Sequence, residues 1–112
     1  ADIVLLYAEA LNALDRTPEA ITELNRTRTR AGENPYYVSD FVSSDEVLDA
    51  ILDERQKEFL GEGKRWFDLV RCNRWKEVMQ PINGMSDERK VLFPIHRDHL
   101  NQNLNLKQNP GY

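Results

Sequence analysis

LLYAEALNALDRTPEAITELNRTRTRAG, running from Leu5 to Gly32, is the stretch that decides the fold. Its first half extends back to Ile3 and carries no Gly or Pro among good helix formers. Glu9, Asn12 and Arg16 share one narrow stripe of that helix. The rest is apolar almost all round, the pattern of a helix covered by neighbours on more than one side. Thr17-Pro18 then reads as a helix N-cap followed by proline at the first helical position, where the missing N–H costs nothing. On the second helix Ala20, Ile21, Leu24 and Ala31 form the apolar face, and Glu19, Glu23, Arg26 and Arg30 the opposite one. Arg26, Arg28 and Arg30 crowd the last turns, where cations meet the negative end of the macrodipole, and Gly32 supplies a left-handed stop. Residues 1–32 are thus expected to form a helical hairpin, with helices near 2–15 and 18–31.

Outward from the hairpin, Glu33 to Val42 reads as an irregular connection containing Asn34-Pro35 and the aromatics Tyr36, Tyr37 and Phe41. Ser43 and Glu46 make a capping box that opens a third helix over 44–60. Its inner row is Leu48, Leu52, Arg55 and Phe59, with Val47 and Ile51 alongside. Gly61-Glu62-Gly63 breaks it, and a fourth helix over 64–73 buries Trp66, Leu69 and Val70. Trp75, Val78, Met79 and Ile82 keep a helical spacing until Pro81 and Gly84 end it, so the helical region covers 43–82. The apolar run VLFPI, starting at Val91, contains Pro94, which disqualifies it as a central strand; it is expected to dock on the helices as a lone extended piece. From Asn101 the Asn- and Gln-rich tail has no helical period and should be irregular. The expected fold class is all-α, a tetratricopeptide-like helical hairpin with further helices and an extended tail over 91–112.

Composition narrows the function classes. The chain has 112 residues and a formal charge of -4, which gives no electrostatic reason for a nucleic-acid partner. No apolar run approaches the ~20 residues that span a bilayer. Cys72 is the only cysteine, which excludes an intrachain disulfide and a multi-cysteine metal site. A chain that opens at Ala1-Asp2 and enters a helix almost at once is expected to have been cut on its N-terminal side.

Among chemistry-bearing residues, the acids Asp53, Glu54, Glu58, Glu62 and Asp68 are the best candidates for paired-carboxylate catalysis. Asp53 and Glu54 point about 100° apart on a helix, however. Each acid also has Arg55, Lys57, Arg65 or Arg71 within a turn or so, so surface ion pairs are the expectation. Arg55 differs, because it lies on the apolar row between Leu52 and Phe59, where an unpaired guanidinium is costly. Its expected partner is Glu58, Glu62 or Asp68. His96 and His99 with Asp98 offer too few converging ligands for a metal site. Trp66 and Phe67 read as core, Cys72 as an inert thiol, and the loop pair Tyr36 and Tyr37 as the one aromatic surface open for a contact. No catalytic, cofactor or metal site is assigned.

Three stretches, in order and over nearly the whole chain, resemble the C-terminal part of SusD/RagB-family proteins. Leu5 to Gly32 is similar to the family's last tetratricopeptide-type pair with its N-x-x-R-x-R-A-G ending. Ile51 to Arg71, ILDERQKEFLGEGKRWFDLVR, is similar to the E-R-x-x-E…E-G-x-R-W-x-D-L-x-R pattern at Glu54, Arg55, Glu58, Glu62, Gly63, Arg65, Trp66, Asp68, Leu69 and Arg71. The ending FPIHRDHLNQNLNLKQNPGY is similar to the family's F-P-I-P…N-P-N-L-x-Q-N-P-G-Y tail, with His96 and Leu104 standing where proline is usual. The resemblance implies a lipid-anchored outer-membrane, cell-surface protein that binds a glycan or other nutrient and lids a TonB-dependent transporter of the SusC type. This segment would be scaffold, with Glu54 to Arg71 structural, no catalytic activity and no cofactor. The alternative is a free-standing tetratricopeptide-like module that binds a protein. Because the hairpin partner offers the first helix only one apolar face, two copies are expected to pack through Val4, Leu5, Ala8 and Leu11.

Overall fold

A computed structural model describes residues 1–112 as α-helices joined by turns and irregular segments, without strands. The helices are α1 (Asp2–Ala13), α2 (Thr17–Arg30), α3 (Ser44–Glu58), α4 (Arg65–Arg71), α5 (Trp75–Asn83) and α6 (Arg97–Gln102), with single 3-10 turns at Val38–Asp40 and Glu88–Lys90. The chain divides into two compact units, Ala1–Asp68 and Leu69–Tyr112.

In the first unit α1 and α2 form the expected hairpin, and α3 packs against both. The core is Leu5 and Ala8 from α1, Ile21 and Leu24 from α2, and Val47 and Ile51 from α3, flanked by Tyr36, Phe41, Ala50 and Phe59. Each fully buried leucine or isoleucine contributes about 1.5–3 kcal/mol relative to an exposed one. Two polar ties show the direction of α3. Asn12 Nδ2, late in α1, donates to the carbonyl of Ser44 at the start of α3 (2.8 Å), and Arg55, late in α3, donates to Asp2 at the start of α1. The two helices therefore run antiparallel.

Several expectations need correction. Asn12 is buried, not part of a solvated stripe; it follows Leu5 and Ala8 at helical spacing and so belongs to the covered face. Leu5, Ala8 and Leu11 are likewise buried within the chain, because α3 covers the side that the hairpin partner leaves open. They are not available as a dimer face. The exposed apolar side of α1 is instead Ile3, Leu6, Tyr7 and Leu14. The N-cap of α2 is Arg16, and proline lies within the first turn; the Thr17 hydroxyl bonds the Asn12 side chain, not the helix end. At α3 the Ser43 hydroxyl accepts from the Glu46 amide as expected, but Glu46 reaches back one residue further, to the Val42 amide. Gly61 and Gly63, both at positive φ, end this helix region.

The second unit departs further. Pro81 sits inside α5 and left-handed Gly84 caps it. Helix α6 was not expected and lies mostly ahead of the period-free tail that begins at Asn101, with the His99 amide donating to the His96 carbonyl in its first turn. VLFPI has Leu92 and Phe93 exposed and Val91 and Ile95 half-buried. Its backbone is held by the tail: Gln108 both donates to and accepts from Ile95, and Asn109 donates to the Phe93 carbonyl. Two amide side chains thus replace a strand partner. In the first unit, Phe67, expected in the core, is 64% exposed.

Leu24→Ala should cost about 2–5 kcal/mol, while Leu14→Ala should stay within about 0.5 kcal/mol of the parent. Chemical denaturation of the two variants checks this, and equal effects would contradict the assigned core.

Candidate functional site

Glu54 and Arg55 are neighbours in α3, both buried, and opposite in charge. Successive helical residues diverge by about 100°, so the two serve different neighbours. Arg55 Nε donates to Asp68 Oδ2 in α4 and Nη1 to Asp2 Oδ1 in α1, each at 2.8 Å. The same Nη1 also lies 3.4 Å from the Asp2 carbonyl. The guanidinium packs 5.2 Å from the centre of the Phe59 ring. Of the three expected partners the structure selects Asp68 and adds Asp2, which stands 53 residues away. The Gly61–Gly63 break makes this geometry available, because it lets the chain return Asp68 to α3.

Glu54 has a partner that nearby sequence does not supply. Arg28 Nη1 donates to Glu54 Oε2 at 3.1 Å, and both side chains are less than a tenth exposed. Arg28 Nε donates to the Asn34 carbonyl, Nη2 faces Glu33 at 3.7 Å, and the guanidinium lies 3.9 Å from the centre of the Tyr36 ring. Arg28 is therefore a buried clasp, not a solvated cation at a helix end. Its position gave a signal that went unread: Ile21, Leu24 and Arg28 lie at i, i+3 and i+7, the same apolar-row argument that singled out Arg55. The side chain of Asn25 completes the clasp by bonding both the N–H and the C=O of Tyr36.

The remaining acids of the cluster are paired as well. Glu58 bonds Arg30 across the helices, Asp53 lies 3.4 Å from Arg65, and Glu62 lies 3.1 Å from Lys64. Lys64 also bonds Asp2 at 2.9 Å. Arg65 Nη1 donates to the Leu52 carbonyl. Trp66 is half-buried, Arg71 is exposed and Cys72 is half-buried. The structure thus brings Glu54, Arg55, Glu58, Glu62, Arg65 and Asp68 into ion pairs or hydrogen bonds around α3. It separates the loop tyrosines, since Tyr36 packs edge-on against Phe41 while Tyr37 is 65% exposed.

Electrostatics follows this geometry. Hydrogen bonds from Lys64 and then Arg55 hold the Asp2 carboxyl below the ordinary carboxylate range. Burial opposes the charge on Arg55, but the bonds to Asp68 and Asp2 outweigh it and raise the guanidinium pKa. No buried side-chain nitrogen or oxygen is left without a hydrogen-bond partner. Such a network is satisfied at every member, the condition under which buried charge orders a core. Chemically it holds helices together.

A hairpin of tetratricopeptide-like helices with a third helix joined to it by buried ion pairs defines an all-α fold. The family model described as SusD family matches residues 1–90, and the chain belongs to that family. Two SusD-like proteins of Formosa agariphila, P38 and P2, are 45% and 35% identical to it over the whole chain. The chain spans only 23% and 25% of their lengths. Two crystal structures from Bacteroides thetaiotaomicron are also similar. A SusD superfamily protein is 33% identical with a TM-score of 0.78, over 97% of this chain and 24% of that one. A SusD homologue is 36% identical with a TM-score of 0.81, over 96% and 23%.

Two outcomes are expected from the network. Arg55→Leu removes the guanidinium that bonds both Asp68 and Asp2 and should cost about 3–5 kcal/mol, whereas Arg55→Leu/Asp68→Leu should be milder than the single change. Urea midpoints decide it, and a double variant worse than Arg55→Leu would contradict the assignment. The second outcome concerns pH. Because the folded-state pKa of Asp2 is depressed, its contribution is fully present above its unfolded pKa of ~4 and is lost as pH falls through the folded value. The stability difference between the parent and Asp2→Asn should be constant at pH 6–7 and shrink below pH ~4, by an amount limited by the partial exposure of Asp2. A difference that stayed constant down to pH 2 would contradict it.

Proposed function

We propose that this chain is a scaffold segment of a longer cell-surface protein that binds a glycan or another nutrient. That protein would be lipid-anchored at the outer membrane and would work with a SusC-type TonB-dependent transporter. Within it, residues 1–112 form the C-terminal part of a SusD/RagB-like domain, made of the hairpin 1–32, the helices of 43–82 and the extended tail 91–112. The observation that carries the scaffold role is that all five acids of the candidate cluster, Asp53, Glu54, Glu58, Glu62 and Asp68, are engaged by arginine or lysine. Such pairing favours a structural role over acid–base catalysis. The relatives' greater length supports placing ligand binding outside this segment, and no helix here is long and apolar enough to cross a membrane.

Tyr37 is the residue through which a direct sugar contact would come, because Tyr36 is held by Arg28, Asn25 and Phe41. Calorimetry of the isolated chain against a panel of oligosaccharides should show no saturable heat. Binding abolished by Tyr37→Ala would contradict the scaffold role. An antibody to this chain should detect, in outer-membrane fractions of the source cells, a polypeptide about four times longer that co-purifies with a TonB-dependent transporter. A 13.1 kDa species without that partner would favour the free-standing interaction module instead.

A further inference from the structure

We draw no further inference here: the strongest candidate, the apolar outer face of α1 formed by Ile3, Leu6, Tyr7 and Leu14, is an unpartnered surface, and nothing in the structure shows what covers it.

Discussion

The buried Glu54–Arg55 dipeptide of α3 ties three other helices to one register. Glu54 takes Arg28 from α2, and Arg55 takes Asp2 from α1 and Asp68 from α4. Apolar packing of Leu5, Ala8, Ile21, Leu24, Val47 and Ile51 supplies most of the favourable free energy, but it is non-directional. A helix could slide by one turn along such a surface at modest cost. Two desolvated guanidiniums with fixed donor geometry oppose such a slide, since it would separate them from the buried carboxylates Glu54 and Asp68. Asn12 bonded to Ser44 fixes the other end of the α1–α3 contact in the same way.

The connections carry the consequences of that arrangement. The turn through Gly61 and Gly63 is what returns Asp68 to Arg55, and both glycines adopt the positive φ that other residues resist. The loop between α2 and α3 is held where it passes Arg28 and Asn25, so Tyr36 is fixed and Tyr37 faces outward. These contacts fix the shape of both connections.

The hairpin, the opening of α3 and the buried, paired state of Arg55 were legible because they rest on local signals: helical spacing, a serine cap, and a charge on an apolar row. What was missed depends on contacts distant in sequence. Asp2 meets Arg55 across 53 residues, and Glu54 meets Arg28 across 26. Neither distance is visible in a window of one or two turns. Arg28 and Asn12 did leave a trace, since each continues an apolar row, but an arginine in a last turn has a ready solvated explanation that hid it. The misplaced association face has the same origin: α3 covers Leu5 and Ala8, and its docking direction is set by those long-range ties. The α6 helix and the Gln108–Ile95 pairing were not readable from periodicity, because they depend on side-chain amides and a short helical turn.

The most direct measurement is nuclear magnetic resonance of the arginine side chains at neutral pH, following exchange of each Nε–H with solvent. Arg55 and Arg28 each donate Nε–H to a buried acceptor, the Asp68 carboxylate and the Asn34 carbonyl. Their resonances should be resolved and slow to exchange, while that of Arg26, paired only through a terminal nitrogen on an exposed face, should exchange rapidly. Rapid exchange of Arg55 and Arg28, at the rate seen for Arg26 in the same folded protein, would contradict the central role of the buried pairs.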